Sequence, residues 1–215
     1  MKRLECSLFN GIGDEEYERL LKGLNPRETK IKRGVCAYGY DSSEKELAIL
    51  CEGVASVIKI DEAGNKILLE RLVKGSIFGN SVSYGERSDD VISVIAETEC
   101  RIVVFKFSDL VCRCDGECAY RHKLLVNAIE AMGKKTAAIG ERTEVIGNRT
   151  TRDKLLCYFR LLCRKTGGNK AKLEMSFTAL SDYICADRSA MMRELKKLKD
   201  DGLITIEHKI VELNK

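Results

Sequence analysis

The feature that most restricts the fold of this chain of 215 residues is a pair of short amphipathic segments near its C-terminus, separated by the tight turn Cys-Ala-Asp. Ser176 and Asp187 stand where the two segments begin, and both residue types favour the N-cap of a helix. Leu180 and Ile184 are four residues apart and form an apolar face on the first segment. This arrangement predicts two helices joined by the turn, a helix-turn-helix.

The second of these helices has two faces of different chemistry. Its predicted buried stripe consists of Ala190, Met191, Leu195 and Leu198. The outer face near the helix start carries two arginines, at the positions where a helix-turn-helix contacts base edges in the major groove. Arginine suits this role because its planar fork donates two hydrogen bonds to guanine, whereas lysines further along the helix favour phosphate contacts. The predicted DNA-binding residues are Ser176, Arg188, Ser189, Met192, Arg193, Lys196 and Lys197.

The charge of the chain is unevenly distributed. Residues 148–215 contain 15 Lys and Arg against 9 Asp and Glu, whereas residues 1–147 contain 22 against 24. A basic C-terminal part indicates a polyanionic partner. Two alternatives stay open. One is an ordinary helical hairpin with a solvated basic face, which the agreement of caps, turn length and apolar spacing disfavours. The other is a winged helix that contacts a protein, whose binding would depend far less on salt than DNA binding does.

The first half of the chain has the pattern of antiparallel β-structure. Short segments rich in β-branched residues recur at regular spacing between turns, at 47–51, 54–60, 66–72 and 91–107. This pattern predicts an antiparallel barrel or roll. Enzymes of the cupin class share such a roll but need clustered histidines around a metal. Because these segments contain no histidine, we expect no enzyme.

Residues 120–146 predict one long helix. Leu125, Met132, Ile139 and Ile146 recur every seven residues, which is the spacing of a coiled-coil seam. A stripe one residue wide is too narrow for burial in a core, so we predict a homodimer formed through this helix. A long helix packed along its own domain is the alternative. Glycine commonly ends helices as a C-cap, so we predict that this helix ends at Gly147-Asn148. The same two residues are the predicted hinge.

Together these patterns predict an α+β fold class, with an N-terminal antiparallel β-roll (a cupin-like jelly roll), a long dimerisation helix and a C-terminal winged helix-turn-helix. The predicted domains are a β-roll sensor at 1–118, the dimerisation helix and hinge at 119–147, and a winged-helix DNA-binding domain at 148–215, which ends in an alternating hairpin, the wing. No apolar run has the length of a membrane span, and no apolar stretch follows the basic start, so we expect a cytoplasmic protein.

The helix-turn-helix segment resembles the winged helix of Crp/Fnr-type bacterial transcription regulators. The residues that match the family pattern are Leu180, Asp182, Arg188, Arg193, Leu195, Leu198, Gly202, Leu203 and Ile204. Cys185 replaces the usual turn glycine, and Ser189 stands where many members carry a base-reading glutamate. The resemblance implies a cytoplasmic homodimer that binds double-stranded DNA and regulates transcription, with RNA polymerase as a further candidate partner.

The resemblance extends to the β-roll, where residues 69–79 look like the mouth of the family's nucleotide pocket. In cyclic-nucleotide-binding members the Phe-Gly pair is followed by a glutamate that holds the ribose, and later by an arginine that pairs with the phosphate. Here Asn80 and Asp90 stand at those two positions, and a carboxylate repels a phosphate. We therefore expect no cyclic AMP, and an unidentified effector or none. The candidate effector pocket comprises Phe78, Gly79, Asn80, Arg87 and Asp90.

The chain has ten cysteines, which in the cytoplasm indicates reduced thiols, a metal site or redox chemistry. Cys112, Cys114 and Cys118 are close enough in sequence to bind a metal or an Fe–S cluster, with Cys36, Cys100 or a residue of a partner chain as fourth ligand. Their spacing matches no standard pattern, and solvent-side thiols in a tight loop are the alternative. The cysteines predicted in apolar cores are Cys51, Cys157, Cys163 and Cys185.

Overall fold

The computed structural model describes residues 3–40, 45–60, 64, 66–80, 91–111 and 119–214. The contacts between residues divide the chain into two compact units, Met1–Lys134 and Lys135–Lys215. The division falls inside the long helix, and it coincides with neither of the boundaries predicted at 118 and 147. Among the described residues, no helix combines the length and the apolar character that crossing a bilayer demands.

The first unit consists of helices and antiparallel strands. A single 3₁₀ turn at Ser7–Phe9 and helix α1 (Asp14–Leu24) precede the strands β1 (Arg27–Ile31), β2 (Cys36–Gly39), β3 (Glu46–Glu52), β4 (Ala55–Ile60), β5 (Lys66–Leu72), β6 (Ile77–Phe78), β7 (Val91–Ala96) and β8 (Cys100–Lys106). Helix α2 (Phe107–Val111) follows, and then the long helix α3 (Ala119–Ile146) begins. The strands form two four-stranded sheets, of order β1-β8-β3-β6 and β2-β7-β4-β5.

Strand β3 lies between the two hydrophobic cores of this unit. Ala48 and Leu50 pack with Val57 of the other sheet, in a core that both sheets share. Leu47 and Ile49 point the other way and pack with the helical residues in a second core. Because β3 is covered on both faces, it is apolar at nearly every position instead of alternating. The predicted β-roll is therefore confirmed, with helices against the outer face of one sheet.

The second unit contains the end of α3, three further helices and a small sheet. Its elements are α4 (Thr151–Thr166), β9 (Lys170–Lys172), α5 (Phe177–Tyr183), α6 (Arg188–Asp200), β10 (Ile204–Glu207) and β11 (Ile210–Leu213), with the strands ordered β10-β11-β9. Leu155 and Phe159 of α4 pack with Leu180 of α5 and Met191 of α6, all fully buried. This is the predicted winged helix-turn-helix, and the α+β fold class is confirmed.

The structure differs from the prediction at the end of α3. Gly147 is not in the left-handed conformation of a glycine C-cap, and its N–H donates to Thr143 O at 2.9 Å as in a continuing helix. The side-chain amide of Asn148 instead donates to Glu144 O at 2.8 Å and to Val145 O at 3.2 Å. The prediction of a glycine cap was therefore wrong, because the asparagine side chain satisfies the last carbonyls itself.

Candidate nucleic-acid interface

The first helix of the predicted motif, α5, begins where the sequence predicts. The Ser176 side chain accepts a hydrogen bond from the Ala179 N–H at 3.1 Å and caps the helix. Leu180 and Ile184 are fully buried, so the inward face is as predicted. Ser176 itself is exposed, and its contact with DNA stays a prediction.

The turn after α5 depends on Cys185. This residue has φ +50°, a left-handed conformation that favours glycine, and the Ala186 N–H after it donates to Ser181 O at 3.0 Å. Cys185 is exposed. The prediction that Cys185 lies in an apolar core was therefore wrong, because its position in the turn directs it away from the packed faces.

The second helix, α6, starts at a second cap. The Asp187 carboxylate accepts a hydrogen bond from the Ala190 N–H at 2.9 Å. Met191, Leu195 and Leu198 are buried, as predicted, and Ala190 is half-buried. The opposite face is exposed, and it carries the predicted base-contacting and phosphate-contacting residues Arg188, Ser189, Met192, Arg193, Lys196 and Lys197.

The exposed face of α6 is basic and includes one large apolar side chain. Within the described part of the chain, no ion pair engages Arg188, Arg193 or Lys196, whereas Lys197 contacts Glu194 at 2.7 Å. Met192 is 42% exposed among these cations. At about 100° per residue, positions 188 to 196 of this face cover an arc of about 140°. The cations are therefore presented together on one face of a capped helix, with Arg188 at its N-terminal end.

A β-hairpin follows α6, as the sequence predicts. Strands β10 and β11 pair antiparallel, with Glu207 opposite Ile210, so His208 and Lys209 alone form the turn. Both residues have positive φ, +46° and +65°, although neither is glycine. Two-residue hairpin turns of type I′ need this geometry. The hairpin thereby presents an exposed histidine and an exposed lysine at its tip.

Two cations that the sequence analysis did not single out hold the end of α5. Arg142 Nε donates to Tyr183 O at 3.1 Å, and Lys154 Nζ donates to Ile184 O at 3.2 Å. The Arg142 guanidinium also lies 5.4 Å from the centroid of the Tyr183 ring. Burial raises the pKa of Tyr183. No periodicity marks these two cations, because each acts on backbone carbonyls that are distant in sequence.

The predicted dimer seam lies on the exposed side of α3. Leu125, Met132, Ile139 and Ile146 are between 38% and 51% exposed. Ile129 lies next to Leu125 and Met132 on the same helical face and is 69% exposed. Buried residues of α3, Leu124 and Val145, belong to other faces of the helix. In the described part of the chain, each heptad position therefore keeps more than a third of its surface exposed.

The mouth of the candidate effector pocket is held by local hydrogen bonds. Asn80 Oδ1 accepts from the Glu46 N–H at 2.7 Å. The Gly79 N–H donates a hydrogen bond to the Tyr40 hydroxyl and the Asn80 N–H donates one to the Tyr38 hydroxyl, each at 3.4 Å. Gly79 has φ +119°, and a Cβ there would lie 2.5 Å from Glu46 O. Phe78 is fully buried against Tyr38, whereas Arg87 and Asp90 lie outside the described residues.

The predicted cysteine cluster cannot be compared with the structure, because Cys112, Cys114 and Cys118 also lie outside the described residues. Of the two proposed additional ligands, Cys36 is exposed, and the buried Cys100 thiol donates to Val54 O at 3.2 Å. In the part of the chain that the structure describes, no three His, Cys, Asp or Glu side chains lie close enough together to hold a metal ion. Cys51 and Cys163 are buried as predicted, and Cys157 is half-buried.

Comparison with known proteins identifies the fold but not a close relative. No family model matches the sequence, and a search of curated proteins by sequence found no match. Solved structures do match over most of the chain. CprK in complex with OCPA is 16% identical with a TM-score of 0.72, and the alignment covers 92% of each chain.

Two further structures support the same fold. A variant of CooA from Carboxydothermus hydrogenoformans is 15% identical with a TM-score of 0.72, and covers 99% of this chain and 94% of its own. A transcriptional regulator of the Crp/Fnr family from Eubacterium rectale is 14% identical with a TM-score of 0.55, and covers 97% of this chain and 93% of its own. The predicted resemblance to Crp/Fnr regulators is therefore confirmed at the level of the fold.

Proposed function

We propose that this chain is a sequence-specific DNA-binding transcription regulator that acts as a homodimer. The observation that carries the proposal is the exposed face of α6, where Arg188, Ser189, Met192 and Arg193 lie together at the start of a helix capped by Asp187. These are the positions at which a helix-turn-helix contacts bases. The fold shared with Crp/Fnr regulators supports the same function.

The roles of the α6 residues follow from their chemistry. Arg188 and Arg193 are at the two edges of the exposed arc, and each can donate two hydrogen bonds to guanine O6 and N7. Lys196 lies one to two turns further along, where a point charge suits a phosphate. Ser189 is short and accepts or donates a single hydrogen bond, so it discriminates between bases less than a glutamate would at this position.

A second copy of the chain is the occupant that fits the apolar residues of α3. Leu125, Met132, Ile139 and Ile146 are exposed and seven residues apart, and a matching helix would bury all of them in a coiled coil. A two-fold dimer presents two copies of α6, which contact half-sites about 34 Å apart along the duplex. We therefore expect a palindromic operator.

The effector of this regulator is expected to differ from cyclic AMP. The position of the ribose-binding glutamate is occupied by Asn80, and its side-chain oxygen is already engaged by the Glu46 N–H. The N–H groups of Gly79 and Asn80 face tyrosine hydroxyls. A phosphate would have to displace both hydroxyls before it could use these donors. Titration calorimetry with cyclic AMP should therefore detect no binding at concentrations up to the millimolar range.

The function is tested by selecting duplexes from a random library and measuring their affinity as salt is varied. DNA binding should weaken steeply with salt, because each phosphate contact releases counterions. Arg188→Ala should lose about 1–3 kcal/mol of discrimination at one base pair. Arg164→Ala removes the same charge from an exposed position of α4, and it should keep the sequence preference of the wild type.

Two results would reject the proposal. One is a monomer that binds no duplex even in dilute buffer. The other is a winged-helix domain that binds a protein partner with little dependence on salt and ignores duplex DNA. If the protein binds a palindrome but Arg188→Ala keeps the full preference of the wild type, the regulator assignment survives and the base-contacting role of Arg188 is wrong.

A further inference from the structure

The C-terminal end of α5 is held by two cations from two different helices. Arg142 belongs to α3 and donates from Nε to Tyr183 O, while Lys154 belongs to α4 and donates from Nζ to Ile184 O. The last carbonyls of a helix carry a partial negative charge and lack intrahelical partners. A charged donor at each of them therefore fixes the point at which α5 passes into the turn before the recognition helix.

Arg142 contacts more of this turn than the carbonyl. Its guanidinium lies over the Tyr183 ring, and Nη2 lies 3.9 Å from the Cys185 Sγ. The Tyr183 ring in turn contacts Tyr158 of α4, with centroids 5.3 Å apart, and Tyr158 is only 8% exposed. The guanidinium, the tyrosine ring and the core of the second unit thus form one continuous series of contacts.

The segment of α3 that carries Arg142 is itself fixed to the second unit. Val145 is fully buried in its core. Glu141 pairs with Lys165 at 2.5 Å, and the Cys157 thiol lies 3.8 Å from the Glu144 carboxylate. Within this unit, the end of α3 cannot rotate about Gly147-Asn148 without breaking these contacts. The predicted hinge at these two residues is therefore not supported by the packing on either side of it.

We propose that Arg142 is a positioning residue for the DNA-binding helix-turn-helix. It makes the orientation of α6 depend on that of the segment of α3 in the same unit, by holding Tyr183 and the turn that leads to Asp187. This inference rests on the proposed function, because DNA affinity is the property that the positioning serves. Arg142 does not lie on the exposed face of α6, so its effect on binding is indirect.

The contact is tested first without DNA, in the full-length chain. Hydrogen exchange measured by mass spectrometry should show faster exchange in residues 177–190 of Arg142→Gln, because the end of α5 loses a charged partner. Exchange in the hairpin at 204–213 should not change. Arg164→Gln removes an equal charge from the same unit and should leave both segments unchanged. Unchanged exchange at 177–190 in Arg142→Gln would overturn the proposal.

DNA binding provides the second readout. Arg142→Gln should bind the selected operator about tenfold more weakly, an effect of the size expected for one charge-assisted hydrogen bond. A plot of the logarithm of the affinity against the logarithm of the salt concentration should have the same slope as for the wild type. Loss of a phosphate contact would instead lower the magnitude of that slope by about 0.9. Arg142→Lys keeps the charge but loses the planar contact with Tyr183, so it should recover only part of the affinity.

The outcomes separate the two proposals. If the wild type binds no duplex, the proposed function fails, and hydrogen exchange still decides whether Arg142 holds the turn. If the wild type binds DNA and Arg142→Gln binds equally well or more tightly, the positioning role is wrong. A smaller salt slope in Arg142→Gln also overturns it, since Arg142 would then act as a direct phosphate contact.

Discussion

The Asp187 carboxylate accepts a hydrogen bond from the Ala190 N–H at 2.9 Å, and this bond fixes the first turn of the helix that carries Arg188. Asp187→Ala removes it and leaves an N-terminal donor without a partner. We expect a loss of about 1 kcal/mol in the free energy of unfolding. DNA affinity should also fall, although a negative charge is removed. Urea unfolding and operator titration measure the two effects.

Asp187→Asn is the matched control for this prediction. Asparagine caps helices about as well as aspartate, so stability should stay near that of the wild type. Removing the carboxylate should slightly strengthen DNA binding. If Asp187→Ala is as stable as Asp187→Asn, the cap does not stabilise α6 and the helix start is fixed by packing alone.

A second prediction concerns the apolar residues of α3. Ile139 is 51% exposed and belongs to the heptad series of the predicted seam. Ile139→Lys would place a charge in an apolar interface, which is costly unless the charge is paired. We expect sedimentation to report a monomer for this variant, and the affinity for a palindromic operator to fall together with dimerisation.

Lys134→Gln is the control for Ile139→Lys. Lys134 is exposed on α3, and it lies about 160° around the helix from Met132 and so outside the seam. This variant should remain dimeric. A dimeric Ile139→Lys would contradict the seam assignment and favour the alternative in which α3 packs only within its own chain.

The parts of the fold that the sequence predicts are those in which local chemistry and periodicity agree. Ser176 and Asp187 cap the helices expected of them. The buried positions of α6 follow from the helical period. Strand β1 was not predicted because three of its five residues are charged and four are exposed, so no alternation of apolar and polar residues marks it. A strand pairing such as that of β1 with β8 depends on a partner far away in sequence.

Other features depend on backbone conformation, which residue type alone does not decide. Cys185 has the positive φ that favours glycine, whereas Gly147, a glycine, does not have a positive φ. The contact between Arg142 and Tyr183 joins residues 41 positions apart. The tyrosines that accept from Gly79 and Asn80 are about 40 positions earlier in the chain, in β2 and directly after it. Such contacts follow from the assembled fold and leave no periodic signal in the sequence.

A third prediction uses the pH dependence of stability. Burial raises the pKa of Tyr38 to about 12, above the ordinary value of about 10. The folded state therefore retains this proton at a pH at which the unfolded chain has lost it. The contribution of Tyr38 to stability is complete below about pH 10 and declines as pH rises from about 10 to 12, by up to about 1.4 kcal/mol per pH unit.

Tyr38→Phe isolates this effect from the other tyrosines. The wild type should lose more stability than the variant between about pH 10 and 11, measured by urea unfolding at a series of pH values. Near neutral pH the variant should be slightly less stable, because the Asn80 N–H loses its acceptor. Identical pH profiles for both proteins would show that Tyr38 ionises freely in the folded state.

The last prediction concerns Met192, the one large apolar side chain on the exposed basic face of α6. It is 42% exposed, and one turn separates it from Arg188. An apolar side chain in the major groove contacts the thymine methyl group, the only apolar group that a base pair presents there. We expect the selected half-site to contain a thymine next to the base pair that Arg188 contacts.

Replacing that thymine by deoxyuridine removes the methyl and nothing else. Burial of one such group corresponds to about 0.8 kcal/mol, so affinity should fall about fourfold. Met192→Ala should reduce affinity for the thymine site by a similar factor and should be insensitive to the replacement, because each change removes the same contact. If the two losses add when combined, Met192 contacts another part of the duplex. Deoxyuridine outside the half-site serves as the control and should have no effect on either protein.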